Sequence, residues 1–371
     1  MKWAETRLSR RNFLKLGVLG LGSLAMRPWK VWGDLLREWP DAERVGRVCV
    51  GKVNVRKKPS VEADSVGELY EDAVVIWLRE VIGEAPSGRQ SRRWVETPDG
   101  YVYAPSLQPV KYQLNQQPVT ELPVTSIGRG MWAEVTIPHT QIFLENLSPT
   151  SPWLKYTIEY NTVPRLYYSQ ILWVDDVRTN SQGQILYRVN ERFGSYGDVF
   201  WVASEALRPL EPEELEPIHP EVENKRIVVD VTPTRQILSC YEGRSEVYSC
   251  LISSGAIWNA NGEVVEAWRT PIGAHPIWRK SVSIHMSGGQ TGTGYDLPGV
   301  AWTTLFTGEG VAIHSTFWHN DFGTPRSRGC INCTPEDAHF IFRWTMPIVP
   351  LDPGDVQVSM PGGTIVDVVE K

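Results

Sequence analysis

Three short pieces of sequence near the C-terminus predict a hydrophobic strand, a glycine–cysteine turn and a helix start: Ala312-Ile313-His314-Ser315, Ser327-Arg328-Gly329-Cys330-Ile331-Asn332 and Thr334-Pro335-Glu336-Asp337-Ala338. The first piece predicts a strand that ends at a histidine. The last piece predicts a helix with Thr334 as its N-cap and Pro335 at its first position. Between these two elements stands Cys330, on which the rest of the interpretation depends.

Cys330 is a candidate nucleophile, because a thiolate attacks carbonyl carbon well and a nearby imidazole can take the thiol proton. His314 lies 16 positions upstream, and Gly329 lets the backbone approach a substrate closely. Amide N–H groups around Gly329 and Cys330 are candidates for binding a developing oxyanion. The helix start a few residues later also favours negative charge. Taken alone, a cysteine–histidine pair favours inert packing of a buried thiol over catalysis.

Further patterns keep a fixed order around this pair: Thr270-Pro271-Ile272-Gly273, Tyr295-Asp296-Leu297-Pro298-Gly299-Val300-Ala301-Trp302 and His-x(12)-Ser-x-Gly-Cys-Ile-Asn. With these patterns, residues 224–368 resemble the L,D-transpeptidase (YkuD-like) catalytic domain. The resemblance implies a β-rich domain with a short helix after the catalytic cysteine. It also implies acyl transfer on peptidoglycan stem peptides, with no metal and no other cofactor.

The resemblance implies a role for each residue that matches the family pattern. Cys330 matches the nucleophile that becomes acylated, and His314 matches its general base. Ser315 stands at the position whose backbone carbonyl orients the imidazole. Gly329 and the amide of Cys330 match the oxyanion site. Carbapenem-type β-lactams are therefore also expected to acylate Cys330.

Arg328 departs from the family, which usually has a histidine at this position. Its positive charge makes Arg328 a candidate stabiliser of the thiolate that would lower the pKa of the thiol. Ser315 replaces a common glycine, which is a small change.

The residues expected to bind the substrate are Tyr295, Trp318 and Asn332. The histidines expected to be groove or structural residues are His285 and His319.

The other cysteines leave alternatives open. Cys333 forms a Cys-x-x-Cys with Cys330, which would suit a redox pair, half a metal site or a resting disulfide. No thioredoxin-like pattern and no second cysteine pair supports the first two. Cys240 and Cys250 flank a predicted hairpin and are candidates for a disulfide, whereas Cys49 is expected to pack in a core.

Residues 46–111 resemble a bacterial SH3-like domain, in their opening at 53–59 and in their ending at 94–107. A second copy is predicted at 130–210. The stretches 100–110 and 198–210 share the same residues in the same order: an aromatic residue followed by Val, then Ala, Ser and Leu, and then any residue followed by Pro. Such domains bind the cell wall or act as spacers. The predicted linkers are 27–45, 112–129 and 211–223, and the last, rich in Glu and Pro, is expected to be solvated and extended.

Residues 1–26 are predicted to be an export signal or an anchor. Ser9-Arg10-Arg11-Asn12-Phe13-Leu14-Lys15 precedes a short apolar stretch and resembles a twin-arginine signal. The apolar stretch is shorter than a comfortable transmembrane span. We therefore expect export to the cell wall, periplasm or exterior, with retention by an uncleaved N-terminal segment as the alternative.

The whole chain is predicted to be mainly β, with one or two small barrels before the catalytic domain. Its net charge is −6, and no long basic run follows the N-terminus, so nucleic acid is a poor candidate partner. The predicted function is a peptidoglycan L,D-transpeptidase that forms crosslinks through a cysteine acyl-enzyme. The alternatives are an L,D-carboxypeptidase that trims stem peptides and a non-catalytic protein that binds the cell wall.

Overall fold

Strands dominate the computed structural model of this chain, which describes residues 39–146, 148–191, 197–258, 262–288 and 294–371. The mainly β prediction is confirmed, with two α-helices in these ranges. The predicted signal at 1–26 and most of the linker at 27–45 lie outside the described residues. Neither described helix combines the length and the apolar character needed to cross a membrane.

The N-terminal module, residues 45–110, consists of eight short strands. Its strands are β1 (Val45–Val48), β2 (Lys52–Arg56), β3 (Ser65–Tyr70), β4 (Val74–Ile76), β5 (Arg79–Ile82), β6 (Arg93–Thr97), β7 (Gly100–Tyr103) and β8 (Leu107–Val110). They form a three-stranded sheet, β4-β1-β8, and a five-stranded sheet, β3-β2-β7-β6-β5. The side chains between them form a small apolar core of Val48, Val55, Trp77, Val95, Val102, Ala104 and Leu107.

The middle module, residues 124–209, is built around a six-stranded antiparallel sheet. Its strands are β9 (Val124–Thr125), β10 (Gly128–Arg129), β11 (Met131–Val135), β12 (His139–Gln141), β13 (Phe143–Leu144), β14 (Arg165–Tyr167), β15 (Ile171–Thr179), β16 (Ile185–Asn190), β17 (Val199–Ala203) and β18 (Leu207–Pro209). The sheet order is β13-β17-β16-β15-β11-β18, with β12–β14 and β9–β10 as separate pairs. Helix α1 (Pro152–Glu159) follows β13.

The two stretches that share a sequence pattern also share a local structure. Strand β7 leads through a 3₁₀ turn at Ala104–Ser106 into β8, and β17 leads through a 3₁₀ turn at Ser204–Ala206 into β18. In each case the second strand pairs antiparallel with an earlier strand of its own module, β8 with β1 and β18 with β11.

The C-terminal module, residues 225–369, consists of two five-stranded sheets. The first has the order β21-β20-β19-β28-β22 and contains β19 (Lys225–Thr232), β20 (Arg235–Glu242), β21 (Ser245–Leu251), β22 (Gly273–Pro276) and β28 (Ile365–Val369). The second has the order β26-β25-β24-β23-β27 and contains β23 (Arg279–Gly288), β24 (Tyr295–Leu305), β25 (Ala312–Ser315), β26 (Ile331–Cys333) and β27 (Asp355–Gln357).

Helix α2 (Pro335–Trp344) directly follows β26 and begins as the sequence predicts. The Thr334 hydroxyl accepts the amide of Asp337 at 3.1 Å, and Pro335 occupies the first helical position. The helix buries Ala338, Ile341, Phe342 and Trp344 in the core that the two sheets share. Its start therefore fixes the end of β26, three residues after Cys330.

Residues 211–223, predicted to be an extended and solvated linker, are folded against the C-terminal module in part. A 3₁₀ turn at Pro212–Leu215 is closed by a capping box between Glu211 and Glu214, and Leu215 is buried. Arg343 of α2 donates to the carbonyl of Glu216 at 2.7 Å. The Glu-rich composition was misleading, because its charges cap a turn while one leucine enters the core.

Candidate active site

Strand pairing brings the predicted nucleophile and base into one pocket. Strand β25 runs parallel to β26, with Ile313 opposite Ile331 and His314 opposite Asn332. Cys330 precedes β26 by one residue and is half-buried. The pocket has a volume of about 150 Å³ and is lined by Met286, Tyr295, Leu297, His314, Trp318, Arg326, Ser327, Arg328, Cys330 and Asn332.

The ring of His314 has a defined tautomer. Its Nδ1 lies 2.8 Å from the carbonyl oxygen of Ser315, so Nδ1 carries the proton and Nε2 keeps its lone pair. Burial lowers the pKa of His314 to about 4, although the bond to Ser315 acts in the opposite direction. The imidazole is therefore neutral at neutral pH and can accept a proton at Nε2.

The thiol of Cys330 is protonated at neutral pH. Burial raises its pKa to about 11, against a smaller opposing effect of the Ala312 backbone. Its Sγ lies 4.0 Å from the carbonyl oxygen of Gly310. Among the described residues, no hydrogen bond joins this sulfur to the ring of His314. Both groups line one pocket as neutral partners rather than as a thiolate–imidazolium pair.

Gly329 occupies a backbone conformation that few other residues adopt, with φ of +117°. A Cβ there would have room, since its nearest neighbour would be Val311 Cγ2 at 3.5 Å. The Gly329 amide donates to Ser327 Oγ at 3.1 Å, and its carbonyl accepts the hydroxyl of Thr270 at 2.8 Å. Thr270, the first residue of the Thr270-Pro271-Ile272-Gly273 stretch, therefore fixes the turn that carries Cys330.

Arg328 does not have the effect predicted from its charge. Its guanidinium carbon lies 5.1 Å from the ring centre of Trp268 and 5.8 Å from that of Tyr295. The pKa of Cys330 is raised, and Arg328 is not among the groups that shift it. The guanidinium instead packs with aromatic rings at the rim of the pocket.

His319, which the sequence leaves as a groove or structural residue, is bonded to Asn332. Its Nδ1 accepts the amide of Asp321 at 3.2 Å, and its Nε2 lies 2.9 Å from the side-chain amide of Asn332. Burial, together with Arg326 and His314, holds the pKa of His319 well below its usual range. The structure places Nδ2 of Asn332 at His319 Nε2, but a neutral ring that accepts at Nδ1 must donate at Nε2, so we assign the oxygen of Asn332 to this bond.

This assignment leaves the NH₂ group of Asn332 as the end that has no partner. The opposite end of the Asn332 amide is buried and makes no hydrogen bond within the described part of the chain. Because Asn332 also lines the pocket, the unpartnered group is a donor at the site. A buried donor without an acceptor is costly, which is typical of a position completed by a ligand.

The hairpin of β23 and β24 supplies Met286, Tyr295 and Leu297 to the pocket. Near the turn end of this hairpin, His285 lies 2.7 Å from carboxylate oxygens of both Glu191 and Asp296. Burial opposes protonation of His285, but the two carboxylates outweigh it and raise its pKa to about 9. Sequence reasoning missed this cluster, because Glu191 lies in the middle module's part of the chain, 94 positions before His285.

All five cysteines are free thiols in the structure. The Cys330–Cys333 and Cys240–Cys250 disulfides considered from the sequence are not formed. Cys333 is buried in the core, and its pKa is raised well above the usual value by burial and by the neighbouring Cys250. Across the described ranges, no three His, Cys, Asp or Glu residues are grouped in a way that could hold a metal ion.

The pattern of these residues agrees with a known family. The family model described as the YkuD L,D-transpeptidase catalytic domain matches residues 224–368. No curated protein sequence matches the chain.

Solved structures similar to this chain are also L,D-transpeptidases. An NMR structure of the catalytic domain from the Enterococcus faecium enzyme is 25% identical and covers 40% of this chain and 98% of that one, with a TM-score of 0.29. A crystal structure of an Enterococcus faecium mutant is 24% identical and covers 41% and 52%, with a TM-score of 0.29. An enzyme from Mycobacterium smegmatis is 13% identical and covers 69% and 97%, with a TM-score of 0.30.

This chain spans about half the length of the longer Enterococcus faecium chain. The order of the sequence patterns and the match of the family model are what identify the C-terminal module. Residues 224–368 of this chain are an L,D-transpeptidase catalytic domain of the YkuD family.

Proposed function

We propose that this protein is a peptidoglycan L,D-transpeptidase that crosslinks stem peptides through an acyl-enzyme on Cys330. The observation that carries the proposal is the shared pocket of Cys330 and His314, with the imidazole held by the carbonyl of Ser315. That arrangement lies within a domain whose family is L,D-transpeptidase. Peptidoglycan stem peptides are the substrate class of this family.

The first half of the proposed reaction forms a thioester. Sγ of Cys330 attacks the carbonyl carbon between an L-centre and a D-residue of the donor peptide, while its proton moves to Nε2 of His314. The C–N bond then breaks, and the same proton leaves with the amine of the D-residue. His314 returns to its neutral form, which the low pKa of its ring favours.

The second half releases the enzyme. The acceptor amine attacks the thioester carbon, gives a proton to Nε2 of His314, and forms the crosslinking amide. The sulfur leaves and recovers that proton as the thiol. Because burial favours the neutral thiol over the thiolate, the departure of sulfur as a protonated group is consistent with the raised pKa of Cys330.

Two donors are proposed to bind substrate oxygens during these steps. The Gly329 amide is already engaged by Ser327, so we assign the oxyanion contact to the amide of Cys330 itself. The unpartnered NH₂ group of Asn332 is assigned to a second acceptor of the substrate. Tyr295, Trp318 and the rim residue Arg328 are proposed to contact the peptide, since all three line the pocket.

We further propose that the N-terminal and middle modules are SH3-like domains and that residues 1–26 direct export to the cell wall. The proposal for 46–111 and 130–210 is supported by short strands that lie at 45–110 and at 124–209. A wall-binding role for these modules is tested by sedimentation with purified peptidoglycan sacculi.

The test of the proposed activity is product analysis with purified disaccharide-tetrapeptides and the full chain. We expect a crosslinked dimer with loss of one D-residue, detected by mass spectrometry. Cys330→Ala should abolish this product, and Cys333→Ala, a matched change of the neighbouring thiol, should retain it. A trimmed tripeptide without dimer would show carboxypeptidase activity instead of crosslinking. The absence of any product would contradict the proposed function.

A further inference from the structure

The loop that follows β25 forms one wall of the pocket. We call residues 317–321 the Trp318 loop. The ring of Trp318 lies 5.7 Å from that of His314, and Trp318 lines the pocket. His319, the next residue, bonds to the side chain of Asn332. The position of this loop therefore determines where the Trp318 ring and the side-chain amide of Asn332 lie relative to the Cys330 thiol.

The backbone of the Trp318 loop is held from the N-terminal module. Arg47 donates to the carbonyl of Phe317 at 2.5 Å, across 270 positions of sequence. Arg93 donates to the carbonyl of Asn320 at 2.9 Å and to its side-chain oxygen at 3.2 Å. The other contacts are Asn320 Nδ2 to the Ala104 carbonyl at 3.2 Å, the Asn320 amide to the Pro105 carbonyl at 3.4 Å, and an ion pair between Arg89 and Asp321 at 3.5 Å.

The Arg47 contact is buried at the junction, whereas Arg93 and Arg89 are partly exposed. Arg47 is only 3% exposed and also bonds Asp72 and Gln108, both at 2.9 Å. Asp72 in turn binds Arg165 of the middle module at 2.7 Å. A buried charge is kept only where its partners are in place, so the geometry of this network is restrictive.

An aromatic stack also holds Phe317, the first residue of the Trp318 loop, in place. The guanidinium of Arg47 lies 4.2 Å from the ring centre of Tyr167, and that ring stacks on Phe317 at 5.8 Å. Phe317 thus has its carbonyl bonded to one module and its side chain packed against another. Three separate parts of the chain meet at the first residue of the Trp318 loop.

We propose that the N-terminal module is a structural part of the active site, in which Arg47 and Arg93 are positioning residues that hold the Trp318 loop against the acyl pocket. The identity of the reaction that this affects rests on the proposed function, whereas the hold on the loop does not. The module then does more than tether the enzyme, because removing its contacts misplaces Trp318 and the His319–Asn332 pair.

The test uses Arg93, because Arg47 also stabilises its own module and its loss could unfold the chain. Arg93→Gln removes the charged donor to Asn320, and Arg93→Lys restores one donor. Arg79→Gln is the matched control, since Arg79 lies in the same module and pairs with Glu96 on its exposed side. Two readouts are compared in the full chain: kcat/KM for stem-peptide acylation and hydrogen exchange of the amides of residues 316–322.

We expect Arg93→Gln to lower kcat/KM by about tenfold, the size of one lost charged hydrogen bond, with faster exchange confined to the loop. Arg93→Lys should recover part of both effects. Alkylation of Cys330 by iodoacetamide should stay within about twofold, because the thiol pKa is set by burial and by Ala312. If Arg93 contributed only to stability, its replacement would destabilise the chain without slowing the peptide reaction more than the iodoacetamide reaction.

Equal rates and equal loop exchange in Arg93→Gln and Arg79→Gln would overturn the inference. A wild-type chain that is inactive on stem peptides contradicts the proposed function instead, and the exchange measurement then still decides whether the module holds the loop.

Discussion

His314 and Ser315 are adjacent in sequence, and the side chain of the first is held by the backbone of the second, with Nδ1 2.8 Å from the carbonyl oxygen. This bond places the ring proton on Nδ1 and leaves Nε2 as the basic atom. It requires no particular side chain at position 315, which explains how serine can stand where the family commonly has glycine. The proposed base is thus oriented by a backbone group, which substitution cannot easily remove.

Replacing His314 with Gln is expected to slow acylation of Cys330 by stem peptides about 10²- to 10⁴-fold, the usual contribution of a general base. Alkylation by iodoacetamide at pH 11 should be unchanged, since hydroxide then forms the thiolate. Rates are measured by quenched-flow mass spectrometry. His275→Gln is the control, because His275 lies in β22 and does not line the pocket. Equal rates in both variants would remove His314 from the mechanism.

The pH dependence of thiol reactivity follows from the raised pKa of Cys330. We expect the rate of alkylation by iodoacetamide to rise about tenfold per pH unit from neutral pH and to level off near pH 11. Burial disfavours the thiolate, so the reactive form accumulates only as pH approaches that value. The rate is measured by loss of the free thiol in a chain in which the other four cysteines are changed to serine or alanine. A plateau already present at pH 6 would indicate a thiolate–imidazolium pair instead.

A substitution at Gly329 tests the turn that carries the proposed nucleophile. Gly329→Ala forces a side chain into a backbone with positive φ and should destabilise the chain by about 1–3 kcal/mol, even though the added Cβ has space. Gly308→Ala is the control, because a Cβ there meets nothing within 4 Å and its φ is not positive. Urea unfolding gives both free energies. Equal losses of stability in the two variants would show that the positive φ at position 329 stores no strain.

The His285 cluster predicts a pH dependence of stability. The folded-state pKa of His285, about 9, lies above its usual value, so its contribution is complete below about pH 6.5 and is lost as pH rises through 9. His285→Gln leaves two buried carboxylates without their cation and should lower Tm strongly at pH 6.

The Tm difference between wild type and His285→Gln should therefore shrink between pH 7 and pH 10 in differential scanning fluorimetry. Control scans with His219→Gln, whose ring is exposed and pairs with Glu242, allow for general alkaline effects. A difference that stays constant over this range would show that His285 is neutral when folded.

The features that could be predicted from the sequence are local ones. The strand that ends near His314 and the helix that begins at Thr334 and Pro335 depend on neighbouring residues, and both are present as predicted. The hairpin turn at 242–244 follows from the same kind of signal.

The features that could not be predicted depend on residues distant in sequence. The bond from Arg47 to Phe317 and the pairing of Glu191 with His285 join separate modules, and no periodicity or motif marks them. The neutral state of Cys330 was also missed, because burial is a property of the folded chain. Charge in the sequence indicated that Arg328 would lower the thiol pKa, whereas its guanidinium packs on Trp268 and Tyr295.

The central claim, that Cys330 is the acylated nucleophile, is tested most directly by the intact mass of the protein after incubation with a carbapenem. We predict a single covalent adduct on the peptide that contains Cys330, absent in Cys330→Ala and retained in Cys333→Ala. An unmodified wild-type chain, or an adduct that survives in Cys330→Ala, would contradict the account.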